Sequence, residues 1–368
     1  MLSVARYETP GVPIFMNPAL AKRLKAFLPY FGRYVTAPCA IVTARDFLKS
    51  EISTDQNGFI SYDIDAFILR HDGKLADFPY DSAAQIEPAI DDLCIYNTSS
   101  DRQKSYLIFA GQGLKLSVAR TVEDIACLPR HILDDDKIQG SRLSWLVLSL
   151  LHEIGHTHEE ISTNGLVKDW NEEMLNEILA DSRSIPWYRE MRADGLPLCK
   201  NVPEQFLQSR SLAMLTHHLY QQSHPAHEQS QFVHFSAELF DDTSAITSQH
   251  LKTMYDCSKK LIQHIVEMNG FISSLDATSQ IELTPDEEKL ICSRRLYSNP
   301  QHLTPYIHHL LQTEPLRTEE RRLCNLFLNA AAGLNLRPPV EELHEIEDAL
   351  ANAAAYKAMF GKRTLEHA

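Results

Sequence analysis

Residues 152–156 read His-Glu-Ile-Gly-His, an HExxH, and they follow an apolar face made by Leu143, Leu146, Val147, Leu150 and Leu151. That spacing predicts a helix over 141–160 with a buried stripe. On a helix, residues four apart lie one turn apart on the same face, so His152 and His156 can reach a single divalent ion. Glu153 is one step round the helix and is directed beside such an ion rather than onto it. A base must stand there to take a proton from a water held at the metal. Ordinary residue frequencies would place an HExxH in roughly one chain in a hundred of this length. Gly155 costs about 1 kcal/mol relative to Ala inside a helix. Its position between the two histidines predicts that another segment approaches closely there.

A catalytic zinc takes three protein ligands and leaves one position open. Continuing the motif as HExxHxxGxxH would need Gly at 159 and His at 162, but the chain has Glu159 and Ser162. His158 lies roughly 200° round the helix from His156 and faces away. A second helix is predicted over 171–184, and it carries Glu173, Glu177 and Asp181 at four-residue spacing on one face. A turn at Asn164-Gly165 would let this helix return beside the first. From the residues alone, Glu177 and Glu173 remain rivals for the third position.

The segment Asn176-Glu177-Ile178-Leu179-Ala180-Asp181, with Glu177 21 positions after His156, resembles the gluzincin pattern of thermolysin-like peptidases, in which NExxxD follows HExxH. The resemblance spans residues 152–181. It implies Zn2+ as cofactor, Glu177 as third ligand and Glu153 as the catalytic carboxylate. It further implies Asp181 as acceptor for the ring N–H of His152. The implied fold is α+β: a zincin-like core with a small N-terminal mixed sheet, an active-site helix pair and a largely helical C-terminal part. The implied activity is a zinc metallopeptidase acting on a peptide or protein. In gluzincins the oxyanion of the tetrahedral intermediate is usually stabilised by a Tyr or His that follows the third ligand. Tyr188, His217, His218, Tyr220, His224, His234 and Tyr255 are the candidates, and the residues do not choose among them.

Away from the motif, 368 residues suffice for two lobes with separate cores. Residues 1–135 read as an α+β lobe. Asn17-Pro18 caps a short helix running towards Pro29. Strands are expected at 40–43, 59–69, 93–96, 106–109 and 114–118. Residues 136–200 hold the helix pair, and 201–368 read as helical, with a polar loop at 222–231. Helix starts there are expected at Thr284-Pro285 with Glu287 completing a capping box, at Thr304-Pro305, and at Pro339 for a last helix ending at Gly361.

The net charge of −14 disfavours nucleic acid or an anionic membrane surface as main partner. Seven dispersed cysteines without a CxxC argue against a disulfide framework. No secretory signal is visible at the N-terminus, and the apolar run 143–151 is far short of a membrane span. A cytoplasmic protein is expected, or one exported without a classical signal peptide. Two alternatives share the metal site: a dedicated regulator or effector protease cutting one partner protein, and an inactive helical interaction protein retaining zinc. The intact Glu153 argues against the second, since a purely structural site needs no carboxylate in the base position.

Overall fold

The computed structural model describes residues 4–56, 60–71, 93–97, 104–111, 140–158, 170–223, 235–275 and 284–360. It is a mixed α+β protein, mostly helical, with a small mixed sheet. Two compact units divide the described residues: one takes those up to 111 together with 140–203, the other those from 204 onward. The sheet segment and the helix pair therefore share one unit.

In the first unit a five-stranded sheet has the order β1 (Ala5–Tyr7), β2 (Ile14–Met16), β3 (Cys39–Val42), β7 (Tyr106–Ala110), β6 (Leu93–Asn97). The three central strands are parallel, with Ile14 opposite Cys39 and Ile41 opposite Ile108, while β1 and β6 run antiparallel at the two edges. Parallel strands covered on both faces read as continuous apolar runs, and β2, β3 and β7 are buried throughout. On one face Phe15, Val42, Leu107 and Phe109 pack with Phe47, Tyr62 and Phe67.

The expected strands at 40–43, 93–96 and 106–109 form, whereas 114–118 lies outside the described residues. The expected strand over 59–69 is corrected. Only β5 (Ile60–Tyr62) is extended, paired with β4 (Ile52–Thr54) in a separate hairpin, and the rest is helix α3 (Ile64–Arg70). Asp63 makes the switch, because its carboxylate accepts from the Ala66 N–H at 2.8 Å and caps the new helix. Ile64, Phe67 and Ile68, at helical spacing, then face the core. Asn17 caps α1 (Pro18–Leu24) as expected, accepting from Ala19 N–H at 2.6 Å, and α2 (Leu28–Tyr34) follows. The helix pair is α4 (Arg142–His156) and α5 (Trp170–Ala193), with the turn at 164–165 outside the described residues.

The second unit is helical: α6 (Val202–Ser223, beginning at the boundary), α7 (Ser248–Leu275), α8 (Pro285–Ser298), α9 (Leu303–Thr313), α10 (Thr318–Gly333) and α11 (Val340–Phe360). Helix α7 is packed by each of the four that follow it. The Thr284–Glu287 capping box forms, and Pro339 directly precedes α11. The start at Thr304 is corrected. Helix α9 begins at Leu303 behind a 3-10 turn over Pro300–His302, so Pro305 sits in its first turn, where a missing N–H leaves no bond unmade. Gln222 is helical, whereas 224–231 and Gly361 lie outside the described residues. Cys39, Cys199, Cys257, Cys292 and Cys324 are all free thiols. No described helix is long and apolar enough to cross a membrane.

Candidate metal centre

Helix α4 is fixed at both ends. At its start Ser141 accepts from the Ser144 N–H at 3.1 Å, and the Ser144 hydroxyl accepts from the Cys199 N–H at 3.0 Å. Tyr188 of α5 donates to the Cys199 carbonyl at 2.9 Å, which ties the same junction to the second helix. Between the ends Leu146, Val147, Leu150 and Leu151 are buried. At the far end the Thr157 hydroxyl donates to the Ile154 carbonyl at 2.8 Å. The Thr157 carbonyl itself accepts from Thr36 Oγ1 at 2.5 Å and from the Tyr106 hydroxyl at 3.1 Å.

Helix α5 returns directly beside α4. The close approach expected at Gly155 is present: a Cβ there would stand 2.9 Å from Ala180 Cα and 3.0 Å from its carbonyl oxygen. Arg183, three residues past Ala180, donates to the Gly155 carbonyl at 3.3 Å. Further along α5, Trp187 stacks on Tyr34 at 4.6 Å, and Glu190 accepts from Arg33 and from the Tyr34 hydroxyl, both at 2.6 Å. The helix ends at His156, short of the expected 160 and two residues before His158, and the His158 ring lies away from the cluster with Nε2 2.6 Å from the Tyr34 carbonyl oxygen.

The crossing brings His152, His156 and Glu177 together. The two Nε2 atoms are 3.1 Å apart, Glu177 Oε2 is 3.2 Å from His152 Nε2, and Glu177 Oε1 is 3.4 Å from His156 Nε2. A tetrahedral zinc with bonds of about 2.0–2.2 Å spaces its ligand atoms about 3.3–3.6 Å apart. The Nε2–Nε2 separation and the approach of one carboxylate oxygen to each imidazole are thus close to what one ion would impose, and two imidazole nitrogens with a carboxylate suit zinc. The residues fit the group.

Asp181 stands where the sequence places it, with Oδ1 2.7 Å from His152 Nδ1 and the residue fully buried. His152, Glu153 and His156 are also buried. The Glu177 side chain keeps 20% exposure, which leaves the cluster one side open to solvent. Burial alone would disfavour a charged His152, but the carboxylates of Glu177 and Asp181 outweigh it and raise its pKa to about 10. Burial likewise works against ionised Glu177, and the two imidazoles overcome it and hold its carboxyl well below the usual range.

No family model, curated protein or solved structure matches this chain.

Among the remaining candidates, the side chain of Glu173 lies outside the described residues, as do His224 and His234. Tyr188 is buried, and its hydroxyl is committed to Cys199. His217 and His218 are buried in the second unit, where His218 Nε2 lies 2.6 Å from Ser258 Oγ and its ring meets that of Tyr255 edge-on. Tyr220 packs against Tyr297. Sequence reasoning gave no sign of Thr36, Tyr106 and Arg183. Thr36 and Tyr106 lie far from the motif along the chain and Arg183 lies two residues past Asp181, and each acts through a backbone carbonyl, which leaves no mark on the motif's spelling.

Proposed function

We propose that this chain is a zinc-dependent metallopeptidase with a zincin-like core, in which His152, His156 and Glu177 hold the ion and Glu153 is the general base. The observation that carries this reading is the convergence of His152, His156 and Glu177, whose two imidazole Nε2 atoms stand 3.1 Å apart with one Glu177 oxygen 3.2 Å from the first and the other 3.4 Å from the second. When bound, zinc acidifies water and polarises a carbonyl. Glu153, next to the first ligand on the same turn, accepts a proton from the attacking water and delivers it to the departing amine nitrogen. Asp181 accepts the Nδ1–H of His152, which fixes the tautomer so that Nε2 presents its lone pair to the ion. The Leu93–Asn97 strand lies against α4, and among the described residues it has a partner on one side only. A substrate chain adding along that free edge would run past the site in extended form.

The test is metal analysis with two variants. Wild-type protein and Glu153→Gln are expected to carry one zinc per chain, and His152→Ala to lose it. Hydrolysis of casein or peptide libraries by Glu153→Gln should fall by about 10²- to 10⁴-fold. A wild-type protein that takes up no zinc sinks the proposal. Zinc binding without general peptidase activity, together with cleavage of one cellular protein, would make the enzyme a dedicated one.

A further inference from the structure

The two histidines of the site are held in different ways. His152 lies a full turn inside α4, and Asp181 pins its ring through Nδ1 at 2.7 Å. His156 is the last residue of the helix, and among the described residues the polar contacts of its ring are with the other two ligands: Nε2 faces His152 and Glu177. Among the described residues nothing hydrogen-bonds its Nδ1. The direction of that ring is therefore set by its backbone, at the end of a helix where the last carbonyls have no partner within the helix.

The residue after it supplies what the ring lacks. Thr157 is buried at 2% exposure, so water cannot satisfy its carbonyl. Two hydroxyls do: Thr36 Oγ1 donates to it at 2.5 Å and Tyr106 at 3.1 Å, while the Thr36 N–H reaches Thr157 Oγ1 at 3.3 Å. Tyr106 begins the central strand β7 and is itself fully buried, with Cys39 and Asn97 as its neighbours in the sheet. Thr36 lies between α2 and β3. The end of the ligand helix is thus bonded to the sheet one residue beyond a ligand.

Resting on the metal-site reading above, we propose that Tyr106 and Thr36 are positioning residues for His156, acting through the Thr157 carbonyl. They replace, by backbone anchoring, the side-chain partner that His152 has and His156 does not. Loosening the anchor turns the last half-turn of the helix and swings His156 Nε2 off the point on which the other two ligands converge.

The experiment compares Tyr106→Phe, Thr36→Val and Thr36→Ser with the wild type. Three quantities are read: zinc affinity by chelator competition, the visible spectrum of the cobalt-substituted protein, and the melting temperature of the metal-free protein. Tyr106→Phe and Thr36→Val should each weaken zinc binding by about tenfold, the scale of lost partners behind metal ligands, and alter the cobalt band. Thr36→Ser, which keeps the hydroxyl, should restore both. A stability role alone would lower the melting temperature and leave the cobalt band unchanged. Wild-type zinc affinity and an unaltered cobalt spectrum in Tyr106→Phe and Thr36→Val would overturn the proposal. A wild type that binds neither metal would instead overturn the metal-site reading on which it rests. If Thr36→Val does not fold, Tyr106→Phe, which removes a single oxygen, decides the matter.

Discussion

Among the described residues two edge-on histidine pairs are buried, His152 with His156 and His217 with His218, and their surroundings drive His152 and His218 in opposite directions. Carboxylates surround the first pair and favour charge on His152. In the second, burial and the neighbouring His217 lower the pKa of His218 to about 3. A histidine whose folded pKa lies below its unfolded value of about 6.5 stabilises the fold fully above that value. The contribution is then lost as pH falls from about 6.5 towards 3, because the unfolded chain takes up the proton first. The loss amounts to at most about 5 kcal/mol. Thermal melts of the metal-free protein across that range should show this acid limb. His218→Gln should flatten it, and an unchanged limb in the variant would show that His218 is not its source.

At the level of elements, the crossing of α4 and α5 decides the geometry. A methyl group on Gly155 would meet backbone atoms of Ala180, which cannot swing aside as a side-chain tip can. Gly155→Ala should gain about 1 kcal/mol in helix propensity and lose about 1–3 kcal/mol to overpacking. It should also carry Glu177 and Asp181 away from the histidines. We expect lower zinc affinity together with unchanged or reduced stability in urea. A variant that is more stable and binds zinc as tightly would mean that the crossing is looser than drawn. Helical period put His152 with His156, and Glu177 with Asp181, on one face each, whereas the choice of Glu177 over Glu173 came from the resemblance to the gluzincin pattern. Caps were legible for the same local reason, as at Thr284 and Asn17. The three-residue strand β2 was not, since so short a run has no period to detect. Over 59–69 a strongly apolar composition concealed the helix cap at Asp63. The anchor on Thr157 joins residues more than fifty positions apart through a carbonyl, and no pattern in the residues announces it.

For the whole molecule, the proposed site would link metal to stability. An ion that binds only the folded chain stabilises it by about 4 kcal/mol when present at a thousand times its Kd, a large share of the roughly 5–15 kcal/mol that holds a typical protein folded. Melting of the wild type should therefore rise on adding zinc and fall with chelator, while His152→Ala should respond to neither. A wild type indifferent to both would count against the site.

Among the described residues the three proposed ligands come from one stretch of chain, residues 152–177, on two consecutive helices. The sheet, by contrast, must join residues 39–42 to 106–110. Closing a loop is cheap in entropy when the ends are near along the chain, with each doubling of length adding only about 0.6 kcal/mol. A first encounter with the proposed ion therefore needs only the helix pair, and the anchor of Thr157 on Tyr106 would tighten the site once the sheet has formed. A nascent polypeptide that has emerged as far as residue 181 already carries the three proposed ligands and Asp181, so on the zinc reading first capture of the ion would belong to the fast, local phase of folding and sheet assembly to the slow one.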